Sequence, residues 1–213
     1  MRVLFLMITF LLISPKITAQ SSDLGNWLIY IGSKKLNSKW HVHHEVQYRN
    51  YNAIGDLEQL LLRTGLGYNL TENTNVLMGY GYILSKNYMG ETTHKTSINE
   101  HRIFQQVITK QKIGVLKLSH RYRFEQRFVE ADFKTRFRYF LGIQIPIKSS
   151  KYYISGYNEI FLNGQSNIFD RNRVYGGLGY QLKKNMRLEL GYMNQLFEAS
   201  NRDQINLITF INF

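Results

Sequence analysis

The sequence contains no cysteine and only two prolines among its 213 residues. Without cysteine no disulfide framework can hold the fold together, so its stability must come from hydrogen-bonded structure and burial. Pro15 and Pro146 lie outside any linker, and no Pro- or Ser-rich stretch divides the chain. At this length a single domain is expected.

The sequence also lacks an apolar run long enough to cross a bilayer as a helix, which takes about 20 residues. The apolar run at residues 3–13 is shorter. It follows the positive charge of Arg2 and precedes a small, polar stretch that contains Ala19. This order is typical of a secretory signal peptide. We therefore expect residues 1–19 to be a cleaved signal peptide and residues 20–213 to form one domain that works outside the cytoplasm.

Acidic residues are scarce: 15 Asp and Glu face 27 Lys and Arg, which gives a formal net charge of +12. Loss of Arg2 and Lys16 with the signal peptide would lower this charge to +10. A basic chain is typical of nucleic-acid-binding proteins. Export from the cytoplasm makes nucleic acid an unexpected partner, so the positive charge needs another explanation.

What the sequence does have is a period of two. In residues 40–49, 116–125 and 136–145, apolar and polar side chains alternate, as they do on the two faces of a β-strand. Eleven segments of this kind lie near residues 27–34, 40–50, 58–69, 75–84, 99–109, 114–128, 133–146, 152–162, 170–182, 186–196 and 203–213.

The connections between these segments alternate between tight turns and longer loops, of which residues 85–98 would be the longest. Strands of ten or more residues are long for a soluble sheet but suit a tilted strand in a membrane. The prediction is an all-β fold, a single antiparallel up-and-down transmembrane β-barrel of 10 to 12 strands. Bacterial single-chain barrels have an even count, so ten or twelve was expected, with twelve preferred.

Alternation alone does not say which face points inward, but the cations do. Arginine dominates the polar faces of the segments together with glutamate, whereas lysine crowds the turns. A guanidinium suits a confined pair with carboxylate, and a strongly hydrated ammonium suits open water. This favours an enclosed lumen braced by a lumen-facing Arg/Glu network, predicted as Glu45, Arg49, Arg63, Glu100, Arg102, Arg121, Arg123, Glu125, Arg136, Arg138, Glu159, Arg173, Arg187 and Glu189.

The apolar faces would then meet lipid, and the expected location is the bacterial outer membrane. Phe213, at the end of an alternating segment, resembles the C-terminal signal that such barrels present to the outer-membrane barrel assembly machinery. Aromatic residues near the segment ends, Trp27 among them, fit either an aromatic girdle or ordinary strand preference.

Three stretches resemble the family catalogued as domain of unknown function 2490. They are NEHRIFQQ (99–106), YNEIFLN (157–163) and FDRNRVYGGLGYQLKKNMRLELGYMNQ (169–195), of which the third is the most specific. The resemblance implies an exported bacterial protein predicted to form an outer-membrane barrel. It brings no catalytic residues and no cofactor.

We expect a non-enzymatic protein, structural or forming a narrow pore that admits small anions. One alternative is a soluble periplasmic barrel that binds an apolar ligand in its interior. Another is an outer-membrane lipid-modifying enzyme, although the His-x-Ser pair found in lipases and deacylases of this kind is absent. His41 and His43 share the lumen face and form a weak metal alternative. No cofactor is expected.

Overall fold

The structure, a computed structural model, describes residues 24–53, 55–90, 92–165 and 167–213. The predicted signal peptide lies outside the described residues. None of the described residues belongs to a helix long and apolar enough to span a membrane. They form eleven strands: β1 (Gly25–Lys35), β2 (Trp40–Asn50), β3 (Leu57–Asn69), β4 (Thr74–Tyr88), β5 (Lys95–Ile113), β6 (Leu116–Val129), β7 (Asp132–Pro146), β8 (Tyr152–Asn163), β9 (Phe169–Lys183), β10 (Met186–Leu196) and β11 (Asn201–Asn212).

The strands close into one barrel in which each strand pairs antiparallel with the next in the chain. This confirms the predicted all-β, up-and-down architecture. The expectation of an even strand count was wrong, because β1 and β11 close the barrel in parallel, with Leu28 opposite Leu207. An up-and-down barrel that closes in parallel must have an odd number of strands, and the described residues form eleven.

The β4–β5 hairpin is longer than predicted. Residues 85–98, expected to be mostly loop, continue the ladder through Lys86 opposite Ser97 to Tyr88 opposite Lys95. The pairing between β3 and β4 ends at Gln59 and Ser85. The hairpin therefore extends beyond its β3 neighbour, and we call this part the projecting hairpin.

Charge separates the two ends of the barrel. We call one end the lysine mouth; it carries the short connections 36–39, 70–73, 114–115, 147–151 and 184–185. The other, opposite mouth carries the connections 51–56, 89–94, 130–131, 164–168 and 197–200. The lysines at or beside the first set of turns are Lys34, Lys35, Lys39, Lys110, Lys112, Lys117, Lys148, Lys151, Lys183 and Lys184.

At the opposite mouth, an ion pair joins the projecting hairpin to the connection between β2 and β3. The Lys95 ammonium contacts the Asp56 carboxylate and also donates to the Leu57 carbonyl at 2.9 Å. The Tyr88 hydroxyl donates to the other Asp56 oxygen at 2.7 Å. Burial by itself raises the pKa of Asp56, but the hydrogen bonds from Lys95 and Tyr88 outweigh it, so the pKa is lowered. The contact therefore stabilises the charged carboxylate.

Candidate functional site

The two faces of the barrel differ sharply in polarity. Each of the eleven strands exposes a large apolar side chain on its outer face, and together these form what we call the outer belt: Leu28, Val46, Leu62, Met78, Val107, Tyr122, Phe137, Ile154, Leu178, Leu190 and Leu207. Alternate positions on the same strands are buried inside the barrel. Many of these buried residues are charged, so the lumen is the natural place to look for a functional site.

The structure buries most of the predicted lumen network, with exposed fractions from 0% for Glu125 to 8% for Arg49. Arg121 and Arg187 are the two less buried members, with side chains 22% and 33% exposed. Both still reach buried carboxylates, because Arg121 lies 2.7 Å from Glu159 and Arg187 lies 3.9 Å from Glu189. The sequence pattern therefore placed these side chains on the face that the structure buries.

Glu125 on β6 is the centre of the network. It accepts from Arg136 Nη2 and Arg138 Nη1, each at 2.7 Å. Arg102 and Arg123 approach the same carboxylate at 3.6 and 3.7 Å. A carboxylate wholly removed from solvent is costly unless it is paired and hydrogen-bonded. Here four guanidinium groups surround it.

The network continues from this centre along β7 and β8. Arg138 also donates through Nε and Nη2 to Glu159 on β8, at 3.0 and 2.7 Å. Arg136 reaches Asp170 at 2.9 Å. Glu100 on β5 forms a second group, since it accepts from both Arg102 and Arg127. The β5–β8 side of the lumen thus contains carboxylates in contact with every arginine named here.

The two histidines predicted as a weak metal site lie on the buried face of β2. His43 Nε2 lies 3.3 Å from Glu45, which also accepts from Arg63 at 2.9 Å. The His41 ring covers Gly67, where a Cβ would come within 2.2 Å of Nε2. Across the described residues there is no group of three or more His, Cys, Asp or Glu side chains suited to a metal ion. Glu45 is engaged by Arg63 and His43.

Aromatic side chains line the lumen as well, and sequence reasoning missed them. Arg138 and Arg173 lie over the Phe161 ring at 4.4 and 4.5 Å, and Arg123 lies over Phe104 at 4.5 Å. These are cation–π distances. Their positions held a usable signal, since Phe104 shares strand parity with Arg102 on β5 and Phe161 shares it with Glu159 on β8.

Of the two interpretations that the sequence left open for Trp27, the aromatic girdle does not fit the structure. Trp27 is only 2% exposed and lies inside the barrel. Its direct neighbour on β2, Arg49, stacks on the indole ring at 3.7 Å. Both faces of β1 are largely apolar in sequence, so alternation could not show which side of this strand turns inward.

A concave pocket with a volume of about 880 Å³ lies in the outer belt between β3 and β8. Leu66, Met78, Val107, Tyr122 and Phe137 are among the exposed side chains that line it. Most of its lining is apolar, and Arg123 and Arg138 of the lumen network also border it.

A closed β-barrel with an apolar exterior and a charged, self-paired interior is the class of protein that these observations define. The chain belongs to the family described as protein of unknown function (DUF2490), whose model matches residues 24–206. This confirms the resemblance seen in the three sequence stretches.

A relative from Methylorubrum extorquens, described as an uncharacterized protein, is 32% identical over 164 residues. The match covers 71% of this chain and 69% of the relative. No solved structure matches the sequence.

Proposed function

We propose that this protein is a non-enzymatic β-barrel of the bacterial outer membrane, with a lumen filled by its own charged side chains. The observation that carries the proposal is the outer belt, which encircles all eleven strands. Soluble monomers rarely expose contiguous apolar patches above a few hundred Å². A barrel also has no unpaired strand edge, which is the condition for placing a sheet in lipid.

The charged interior argues against the soluble alternative. A barrel that carries an apolar ligand needs an apolar interior, whereas the interior here holds buried residues such as Arg102, Glu125 and Glu159. Cell fractionation tests the location. The protein should remain with the outer membrane until detergent is added, and it should migrate faster in gels before boiling than after. Release by osmotic shock without detergent would contradict the proposal.

The orientation that fits this proposal places the lysine mouth in the periplasm. Phe213 would then end at that side and serve as the signal for the barrel assembly machinery. In support, Phe213 takes part in the parallel pairing that closes the barrel between β1 and β11. Its N–H donates to the Ser33 carbonyl at 2.8 Å, and its carbonyl accepts from the Lys35 backbone N–H at 3.1 Å. The residue as a whole is 56% exposed, with its ring centre 5.7 Å from that of His44, and so leaves surface for a partner.

A narrow anion pore is the second candidate, favoured by the excess of buried arginine over buried glutamate. Rings of basic side chains favour anions in pores. Small barrels, however, are usually filled by their own side chains, and here guanidinium groups stack on Trp27 and Phe161 within the lumen.

Planar-bilayer recording of the purified protein separates these two candidates. A filled lumen predicts no conductance steps. Regular steps that are larger in chloride than in a salt with a bulky anion would support the pore instead. The third possibility, a lipid-modifying enzyme, predicts lipid turnover by the reconstituted protein, and the proposed function predicts none.

A further inference from the structure

The β1–β2 and β9–β11 side of the lumen lacks the charge balance of the β5–β8 side. Arg49 and Arg173 are 8% and 7% exposed, yet among the described residues neither has a carboxylate oxygen within 4.0 Å. They meet at one ring, since their guanidinium carbons lie 3.7 and 4.8 Å from the centre of Trp27. Two cations thus share one ring without a carboxylate in direct contact, although Glu159 lies opposite Arg173 in the β8–β9 pairing.

The hydrogen bonds of these arginines go to neutral amides. Arg49 donates through Nε to Gln47 at 2.9 Å, and its two terminal nitrogens donate to Gln47 and Gln59, so all three of its nitrogens have acceptors. Arg173 donates through Nε to Gln195 at 2.8 Å. Within the described part of the chain, the two terminal nitrogens of Arg173 have no acceptor at hydrogen-bond distance. A planar guanidinium fork is suited to binding a carboxylate or phosphate with two parallel hydrogen bonds.

Further unpartnered donors lie beside this fork. Trp27 Nε1, Tyr175 Oη and Gln204 Nε2 are buried without a hydrogen-bond partner. Trp27 and Tyr175 pack in one cluster, and Gln204 joins Arg173 through Gln195, which donates to Gln204 at 2.9 Å. Buried polar groups in proteins nearly always have a partner. Together with the two terminal nitrogens of Arg173, these three donors without a partner form a site suited to an acceptor that carries negative charge.

We propose that the cluster of Trp27, Arg49, Arg173, Tyr175 and Gln204 binds a small oxyanion, such as phosphate or a carboxylate. The site lies toward the opposite mouth, where β1 begins at Gly25, β2 ends at Asn50 and Arg202 pairs with Glu58 at 2.6 Å. The inference goes beyond the proposed function and does not depend on location in a membrane, because it rests only on side chains inside the barrel.

The test uses the purified full chain in a non-ionic detergent. The protein has two tryptophans, and Trp40 lies exposed at the lysine mouth. A Trp40→Phe background therefore leaves Trp27 as a fluorescent reporter within the site. Phosphate and acetate are titrated separately at an ionic strength held constant with chloride. Saturable change of the Trp27 emission with either anion, accompanied by a rise in Tm, is the expected result.

Arg173→Gln should weaken the anion response roughly tenfold or more, since a charge-assisted bidentate contact is lost. Arg121→Gln is the matched control, because its carboxylate partner Glu159 keeps two hydrogen bonds from Arg138. That variant should retain the wild-type response. Gel mobility before boiling verifies that each variant is folded.

If Arg173→Gln does not fold, Arg173→Lys carries the test, because it keeps the charge and removes the fork. Equal anion affinity in wild type and in the folded Arg173 variant would overturn the proposal. So would a wild-type protein whose emission responds to phosphate and acetate no differently from chloride.

Discussion

Arg138 on β7 holds Glu125 on β6 with one arm of its guanidinium and Glu159 on β8 with the other. Its Nη1 donates to Glu125 Oε1 at 2.7 Å, and its Nη2 donates to Glu159 Oε1 at the same distance. All three side chains are almost fully buried. One arginine therefore links three neighbouring strands from inside the barrel, so the Arg/Glu network is continuous across them.

Replacing Glu125 by glutamine should destabilise the barrel strongly. The change leaves buried guanidinium groups without their shared counter-charge, and breaking a buried pair in this way costs roughly 3–5 kcal/mol. Urea unfolding of the reconstituted protein measures the change. The control is Asp132→Asn, whose partner Lys134 is 47% exposed; a surface pair of this kind should contribute less than about 1 kcal/mol. Equal stability of the two variants would show that the Arg/Glu network does not stabilise the barrel.

Adding a methyl group should be costly at Gly191, on the inner face of β10, and harmless at Gly176, on the outer face of β9. A Cβ at Gly191 would lie 2.5 Å from the Gly176 carbonyl oxygen, a backbone atom with little room to move. A Cβ at Gly176 meets nothing within 4 Å. Gly191→Ala should therefore lose about 1–3 kcal/mol from overpacking, while Gly176→Ala stays near wild type. Thermal unfolding of both variants checks this, and a neutral Gly191→Ala would be inconsistent with the packing described.

Leu190→Arg tests the outer belt. Leu190 is 58% exposed near the middle of β10, so in a bilayer an arginine there should cost about 2–4 kcal/mol. Val115, 64% exposed in the β5–β6 turn, provides the control, and Val115→Arg should cost at most about 1 kcal/mol. Unfolding titrations in lipid vesicles measure both. If Leu190→Arg instead made the protein stable and soluble without detergent, the belt would face water.

The contact between Asp56 and Lys95 should fail at the two extremes of pH. The pKa of Asp56 is lowered from its ordinary value of 3.8, so its contribution is fully present above 3.8 and is lost as pH falls through the lower folded value. For Lys95 burial acts to lower the pKa, but the hydrogen bond with Asp56 raises it above the ordinary 10.5. That contribution is fully present below 10.5 and is lost as pH rises through the higher folded value.

Amide hydrogen exchange at Tyr51 reports this contact, because its N–H donates to the Asp56 carbonyl at 2.9 Å. Protection, corrected for the intrinsic rate, should be constant between these limits and fall outside them. Asp56→Asn should abolish the acid-side fall and lower protection at neutral pH. Glu72→Gln at the lysine mouth is the control, and an identical effect there would refute the assignment.

Much of the strand content could be predicted from sequence, because alternation of polarity is a local property. Residues 40–50 and 186–196 were predicted with the bounds that β2 and β10 have. The projecting hairpin was missed because Lys86, Asn87 and Thr96 are polar on both faces beyond the barrel rim. The parallel closure was missed because the pairing of the first strand with the last leaves no local trace in either segment.

The charged part of the lumen could be predicted because arginine and glutamate share a strand face with each other and avoid the turns. The β1–β2 and β9–β11 side of the lumen could not be predicted in this way. Its distinctive feature is that Arg49 and Arg173 contact glutamines where Arg138 contacts glutamates, and which side chain faces which depends on closure across strands far apart in the chain. Trp27 belongs to the same side of the lumen, and the sequence of β1 did not show which of its two apolar faces turns inward.

The parallel seam also sets limits on how this barrel can be rebuilt. Gly25 begins the first strand at one mouth and Asn212 ends the last strand at the other. A circularly permuted version would need a linker that runs the whole height of the wall, roughly 30 Å or more for strands of this length. Affinity tags fused directly before Gly25 and directly after Phe213 would likewise emerge on opposite sides of any sheet of lipid that the protein crosses, so each would report on a different compartment.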